Sequence, residues 1–342
     1  MSRRVRSALA RPALPLSPTL RRRDRPAARE ETPCNLCGAR TYVVVGTRDR
    51  DGGPLRTVLC TACGLVWTNP RPTAADMNAY YATSYRADYT GHRAPPLRKI
   101  VRGFIGAADR RSALRPLGAR TMLDVGCGAG ELVYLMRRDG VEASGLEPGI
   151  EFAGFARTVL HVPIQTAAVD AARIPLDSQD LVTMFHALEH VPDPLAVLTT
   201  VRRWIRNGGH LVVEVPNIAA RVQAPNHQYH YAHLHHFTGS TLAALGEAAG
   251  LRLVETRYTG DRGNVICVFQ RAGDERRHPA GLDAEAARTL AALTSHTVAG
   301  HYLSAVPYGR AIRRLRRRIA ENRVLRRLRT LEDAIRWADS LP

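Results

Sequence analysis

The segment from Thr121 to Glu131, Thr-Met-Leu-Asp-Val-Gly-Cys-Gly-Ala-Gly-Glu, constrains the fold of this chain more than any other. Met122 to Val125 form a short apolar run compatible with a strand, and Gly126, Gly128 and Gly130 then let the backbone turn sharply before a helix starts near Glu131. A side chain at these glycines would collide with a ligand brought up to the loop. After a stop at Gly140, Val141 to Leu146 read as a second strand, and Glu147 at its carboxyl end is placed to accept hydrogen bonds from two ribose hydroxyls. Strand, glycine turn, helix, strand and acid, in that order, make a seat for an adenosyl group.

The competing dinucleotide fingerprint wants glycine at the sixth position of G-x-G-x-x-G, and counting from Gly126 that position is Glu131. An acid there also cancels the positive helix end that a pyrophosphate would use, whereas a cationic sulfonium tolerates it. These residues resemble the class I S-adenosylmethionine-dependent methyltransferases, whose first motif, (V/L)-(L/V)-D-(V/L)-G-x-G-x-G, is matched by Leu123 to Gly130. The resemblance implies an α/β fold with a seven-stranded, doubly wound, Rossmann-like sheet and S-adenosyl-L-methionine as cofactor. It implies that Asp124 orients the loop and the methionine amino group, and that Asp170 contacts the adenine amino group. Cys127 reads as a small filler within the loop.

Cys34, Cys37, Cys60 and Cys63 form two C-x-x-C units, each followed by glycine, Gly38 and Gly64, which permits a tight knuckle. Tyr42 to Val45 and Leu55 to Leu59 read as strands around an Asp51-Gly-Gly-Pro54 turn. The spacing predicts a zinc ribbon with a structural Zn2+ closed to substrate. Two disulfides are the other reading, and they need an oxidising compartment that nothing else in the sequence supports.

Between Thr121 and Arg271 strands and helices alternate, as in a doubly wound sheet. Expected strands are Val162 to Thr166, Asp180 to Phe185, His210 to Val215 after a Gly208-Gly209 turn, and an antiparallel pair, Leu251 to Tyr258 and Asn264 to Gln270. Asp193-Pro194 and Thr238 open helices. The stretch His186-Ala-Leu-Glu-His-Val-Pro-Asp-Pro194 resembles the L-E-H-V-x-D-P motif of the same methyltransferase group, which implies His186 beside the ligand and His190 facing the transfer site. Glu189 and His190 have the alternative of bracing the loop by hydrogen bonds. A second cluster comprises His227, His230, His233, His235 and His236, and a metal site is the reading it tempts. Its core, Ala232-His-Leu-His-His-Phe-Thr238, resembles a segment of methyltransferases with an N-terminal C-x-x-C ribbon, and the resemblance to the sugar C-methyltransferases implies a general base at His233. Those enzymes carry glutamate before that histidine and tyrosine three after it, where this chain has Ala232 and His236.

Five regions are expected: a disordered basic tail (1–31), the ribbon (32–72), a helical linker or lid (73–118), the methyltransferase domain (119–271) and a helical Arg-rich extension (272–342). Tyr80, Tyr81, Tyr85 and Tyr89 either line the substrate cleft or pack the ribbon onto the main domain. Of the net charge of +18, the region 1–31 holds nine Arg against three acids and the region 271–342 fifteen against eight, so the middle is only mildly basic. That distribution favours a small-molecule acceptor, such as a sugar nucleotide, a glycan intermediate or a secondary metabolite, with an RNA-modifying enzyme and a non-catalytic cofactor-binding scaffold as rival readings. The absence of a long apolar run argues against a spanning helix, and the Arg-rich, Pro-rich start against a secretory signal, so a cytoplasmic protein is expected. Ile312, Leu315, Ile319, Leu325, Leu328, Leu331 and Ile335 recur at helical spacing. Such a helix fits docking on its own domain or a twin subunit, the favoured reading, or peripheral contact with an anionic membrane.

Overall fold

The computed structural model describes residues 28–83, 95–271, 282 and 284–342. Most of the expected basic tail, together with Tyr85 and Tyr89, lies outside the described residues.

The N-terminal module contains β1 (Arg29–Glu30), β2 (Tyr42–Arg48), β3 (Pro54–Cys60), β4 (Val66–Thr68) and β5 (Arg71–Pro72), with β2, β3 and β4 joined as an antiparallel meander and β1 paired to β5. Helices α1 (Ala74–Thr83) and α2 (Leu97–Leu114) follow. Thr73 accepts a hydrogen bond from the Asp76 amide at the start of α1. Tyr80 on this helix is buried edge-on against Tyr231 at 6.2 Å, so this tyrosine packs its segment onto the main domain.

The main domain runs through β6 (Thr121–Val125), α3 (Glu131–Arg138), β7 (Glu142–Leu146), α4 (Ile150–Val159), β8 (Ile164–Gln165), β9 (Gln179–Phe185), α5 (Pro194–Trp204), β10 (Ile205–Pro216), β11 (His235–His236), α6 (Gly239–Ala248), β12 (Arg252–Tyr258) and β13 (Asn264–Gln270). Seven of these strands form one sheet in the order β12-β13-β10-β9-β6-β7-β8. Strands β8, β7, β6, β9 and β10 are parallel, and β13 runs against both β10 and β12. The chain leaves central β6 toward β7 on one side and returns through β9 on the other, which opens a crevice at the carboxyl ends of β6 and β9. Asp193 accepts from the Ala196 amide at 2.9 Å as N-cap of α5, and Thr238 forms a capping box at α6.

The expected turn at Gly208-Gly209 is instead part of one continuous strand, whose register shifts between Ile205 and His210. Gly209 is needed for closeness, since a Cβ there would sit 2.9 Å from the Asp180 carbonyl oxygen. Asp180 itself accepts from the Arg120 and Thr121 amides, both at 2.9 Å, and ties β9 to the entry of β6.

The ribbon meander does not end at β4. Strand β11 adds to its edge, His235 opposite Trp67 and His236 opposite Val66, so the two regions expected as separate share a four-stranded sheet. Beyond β13, helices α7 (Glu285–Thr294), α8 (Val298–Leu303), α9 (Val306–Leu325) and α10 (Leu331–Asp339) complete the chain. Helix α7 lies so near the second knuckle that a Cβ on Gly64 would sit 2.9 Å from backbone atoms of Glu285 and Ala286. Helix α10 packs Ala334 and Ala338 inward and its Asp339 accepts from the Tyr134 hydroxyl at 2.7 Å.

The tail docks on its own domain, with Leu331 and Ile335 of α10 packed against the core, but α9 does so by a charged contact rather than by its apolar residues. Helix α9 meets α2 through Glu321, which is fully buried and receives the Arg102 guanidinium at 2.7 and 2.8 Å, while Ile312, Leu315 and Ile319 face outward. No described helix is long and apolar enough to cross a membrane.

Two loop glycines separate backbone strain from packing. Gly130 (φ +84) would bring a Cβ to 3.0 Å from Ala156 and 3.1 Å from Val162, whereas Gly140 (φ +84) faces open space. Gly140→Ala is expected to cost about 1–2 kcal/mol for the left-handed backbone alone. Gly130→Ala adds overpacking of about 1–3 kcal/mol. Urea unfolding of the two variants measures the difference, and equal losses would mean that α4 yields freely.

Candidate functional site

The glycine loop stands between two cavities. The first, at the carboxyl ends of β6, β7 and β9, is lined by Gly126, Glu147, Val169, His186 and His190, among others. The second, about 600 Å³, lies between α2 and the sheet and is lined by Arg110, Gly128, Phe185 and Glu214. Gly126 (φ +76), Gly128 (φ +60) and Gly130 (φ +84) all adopt the left-handed backbone that glycine favours. Two of them also pack closely against the rest of the fold. A Cβ on Gly126 would meet Ala187 at 2.9 Å, and Gly130 serves the contact with α4.

Glu147 is buried at the end of β7, where its carboxylate accepts from the Gly128 amide at 2.9 Å and the Gly149 amide at 3.0 Å. It thus ties the loop to β7 while lining the first cavity. Asp124 lies beneath the loop, lines neither cavity, and accepts from the Thr183 hydroxyl at 2.7 Å. Burial pushes its carboxyl up to about 6, against the Thr183 bond. Asp170 is exposed on a short turn whose neighbours Ala167, Ala168 and Val169 form the cavity wall. Glu131, at the helix start, turns toward α2, where a Cβ on Gly103 would sit 2.2 Å from its Oε1. Cys127 is buried against Gly145.

His186 leaves β9 with φ +54, uncommon for a non-glycine residue. The turn sets its ring between two buried carboxylates, 3.5 Å from Glu189 and 3.3 Å from Glu214. Burial works against the charged ring, but the ring keeps 38% of its exposure and the two carboxylates prevail, holding it up at about 9. Burial would raise Glu214, yet the His186 bond and charge together with the Arg110 charge take it down to about 2, and Asn264 donates to it at 2.7 Å. Sequence reading missed Glu214, Arg110 and Asn264. The signal for Glu214 was an acid inside the apolar strand His210 to Val215.

His190 follows on a single turn and is buried. Its Nδ1 lies 2.9 Å from the Ala232 carbonyl oxygen, which only accepts, so in the neutral ring Nδ1 carries the hydrogen and Nε2 keeps the lone pair. That Nε2 lies 3.8 Å from Glu189, and the His233 ring stands edge-on at 4.8 Å between centroids. One ligand atom from each of Glu189, His190 and His233 falls within 4.8 Å of the others, a donor set that could hold a cation. Burial and then the nearby imidazoles of His190, His230 and His236 keep His233 well below the usual histidine range. His227 stands apart, 3.2 Å from the Arg50 carbonyl oxygen.

Cys34, Cys37, Cys60 and Cys63 converge with all four sulfurs within 4.8 Å of one another. All are free thiols, with Cys34 to Cys63 at 3.4 Å and Cys37 to Cys60 at 3.5 Å, well beyond a disulfide bond of about 2.05 Å. Gly38 (φ +74) and Gly64 (φ +77) complete the two knuckles. Four thiols with this mutual spacing suit tetrahedral coordination.

The shifts give stability two limbs. Burial takes His235 down to about 3 and His236 to about 4, so both stay neutral in the fold while the unfolded chain protonates them below about 6.5; stability is lost as pH falls across that window. His186 has the opposite sign: its contribution is full below about 6.5 and is lost as pH rises through about 9. The thermal midpoint is expected to peak near about pH 6.5 and to fall on either side, on the alkaline side until about 9. His186→Gln removes the alkaline fall and leaves the acid one, and an alkaline limb unchanged in that variant would assign it to other groups.

Residues 89–256 match the protein family described as "Methyltransferase domain", a span that includes α2 as well as the strands from β6 through most of β12. The ubiquinone biosynthesis O-methyltransferase of Aeromonas salmonicida is 32% identical over 157 residues, covering 40% of this chain and 64% of that protein. The protein of the same name from Pectobacterium atrosepticum is 33% identical over 138 residues, covering 38% of this chain and 53% of its own length. The chain therefore spans between half and two thirds of these curated relatives. Among solved structures, a Burkholderia thailandensis 1,6-didemethyltoxoflavin-N1-methyltransferase aligns at 17% identity with a TM-score of 0.44, covering 61% of this chain and 96% of the other. Over its central region the chain matches the methyltransferase-domain family, and its sheet has the fold of the class I S-adenosylmethionine-dependent methyltransferases.

Proposed function

We propose that this chain transfers the methyl group of S-adenosylmethionine to a hydroxyl of a small metabolite, with histidine taking up the proton. The carrying observation is the fixed tautomer of His190: Ala232 holds Nδ1–H, and the basic Nε2 faces Glu189 and His233 at the edge of the first cavity. The printed name of the relatives, O-methyltransferase, supports a hydroxyl over a carbon or nitrogen acceptor.

The residues fit the cofactor. The left-handed glycine backbone leaves the loop bare on the cavity side, and a carboxylate oxygen can accept two hydrogen bonds, so Glu147 can hold the loop amides and the ribose hydroxyls together. The bound sulfonium supplies an already activated methyl electrophile, which leaves the protein the work of alignment and proton removal. Asp170 borders the wall for the adenine. His186, held positive between Glu189 and Glu214, directs both ring nitrogens at those carboxylates and borders the first cavity. As the acceptor oxygen bonds to the methyl carbon and the sulfur keeps the electron pair of the broken bond, the hydroxyl proton passes to His190 Nε2 or His233. In the neutral ring His190 Nε2 carries the lone pair that can take the proton, whereas His233, held well below the usual histidine range, stays neutral and is the weaker base.

A zinc ion bound by Cys34, Cys37, Cys60 and Cys63 is structural in this reading, because four thiolates close its coordination. Its mechanical role follows from the shared sheet: β4 holds β11 and so His235 and His236, the Thr68 amide donates to the Leu234 carbonyl oxygen at 2.9 Å, and Asn35 pairs with Asp193 and Leu195 beside the His190 loop.

Calorimetry with S-adenosylhomocysteine and methyl transfer to pooled hydroxylated metabolites test the proposal. Glu147→Ala is expected to weaken nucleoside binding at least ~10-fold, by loss of charge-assisted hydrogen bonds. His190→Gln and His233→Gln are expected to lower kcat by about 10²–10⁴ with little change in binding. Undiminished turnover in both histidine variants, or label appearing in RNA instead of metabolites, would sink the reading. In a separate test, elemental analysis should find a single zinc in the native chain, and Cys60→Ser should lose it together with methyl transfer; full transfer by a zinc-free chain would contradict the structural role.

A further inference from the structure

Helix α9 presents its outer side in a way that the catalytic reading does not use. Tyr308, Ile312, Leu315 and Ile319 keep 60%, 52%, 59% and 43% of their exposure. At helical spacing they fall within about 60° of one another, forming one stripe. Just before it, Tyr302 and Leu303 at the end of α8 are exposed as well. Arg316 and Arg323 border the stripe along one edge and Arg318 along the other, all three exposed. The helix is fastened from the opposite side, where Arg310 donates to the Val222 carbonyl at 2.7 Å and Glu321 receives Arg102, with Arg98 at 3.6 Å.

We propose that α9 is a surface anchor for anionic lipid bilayers, lying flat with Tyr308, Ile312, Leu315 and Ile319 in the headgroup-to-acyl boundary and its flanking arginines among the phosphates. The charges choose this occupant. The helix holds seven arginines and a single acid, Glu321, which is buried and already paired, so every exposed formal charge on it is positive. A second copy packed stripe to stripe about a two-fold axis would set arginine against arginine. A nucleic acid backbone would satisfy the arginines, but the aliphatic stripe points in the same direction and would be pressed onto hydrated phosphate. An anionic membrane accepts both at one depth, apolar side chains below and guanidinium groups at the phosphate level. Among the described residues nothing covers the stripe, and no described helix has the length and apolarity to span a bilayer, so the contact is peripheral.

Sedimentation of the full chain with phosphatidylcholine vesicles, with and without about a third phosphatidylglycerol, tests this. Binding is expected only with the anionic lipid and is expected to weaken as salt screens it. Ile312→Asp with Leu315→Asp is expected to reduce the bound fraction by at least ~10-fold, and Arg316→Gln with Arg318→Gln to reduce it several-fold, roughly in line with the loss of surface charge. These positions are exposed, so the thermal midpoint and S-adenosylhomocysteine binding report an unchanged fold. The proposal is overturned by absence of binding to anionic vesicles, or by full binding in the double aspartate variant. It is also overturned if that variant only converts a dimer to a monomer by light scattering, or if RNA binds and the aspartates leave vesicle binding untouched.

Discussion

The pairing of β11 with β4 is the contact on which the site depends. Two residues of the histidine segment, His235 and His236, add to the ribbon meander opposite Trp67 and Val66. The Thr68 amide and hydroxyl reach the carbonyls of Leu234 and His233 on the same edge. The segment's own backbone would otherwise cross the top of the main sheet as a loop with unpaired polar groups, which is costly once buried. Ribbon and loop therefore stabilise each other. Arg71 donates to the Pro192 carbonyl oxygen, and Asn35 bridges Asp193 and Leu195, so the loop after β9 is held from the same module. Two histidine-bearing loops from distant parts of the chain are thus fixed relative to one another by a small module that lies outside both.

The electrostatic arrangement around His186 is built on the same economy. Two carboxylates, Glu189 and Glu214, are buried within reach of one imidazole, and Arg110 lies 3.5 Å from Glu214. An isolated carboxylate in this position would be protonated. With two acids, one arginine and one histidinium, formal charge balances and His186 is held up, whereas burial first and then the nearby imidazoles hold His233 down. Histidines of one chain are set to opposite protonation, His186 by the carboxylates beside it and His233 chiefly by burial.

Local periodicity and turn chemistry made most of the main sheet legible. The glycine loop, the Asp193-Pro194 and Thr238 caps and the antiparallel last pair are properties of short windows, and they appear where those windows place them. The same holds for the four cysteines, whose spacing alone brings their sulfurs together. What escaped is long-range. Nothing local in His235-His236 announces a strand, because its partner is some 170 residues away, and only the ribbon edge makes it one. Gly130 reads as a ligand-facing glycine until Ala156 and Val162 are seen against it. Asn264 and Arg110 look like ordinary polar residues, and only the register of β13 on β10 and the path of α2 bring them to Glu214.

The tail shows how far a pattern can mislead about direction. Apolar residues at helical spacing predict an inward stripe, because burial of apolar surface is the usual driving force. In α9 a carboxylate has taken that place: Glu321 receives two hydrogen bonds from Arg102 and lies near Arg98 and Arg317. Removing its charge from water is unfavourable in itself, and pairs of this kind add little net stability compared with apolar packing. Their geometry is strict, however, since a planar guanidinium fixes both oxygens of its partner. Apolar docking would tolerate rotation of the helix about its axis, whereas the Arg102–Glu321 fork permits one orientation, and in that orientation Ile312, Leu315 and Ile319 are turned outward.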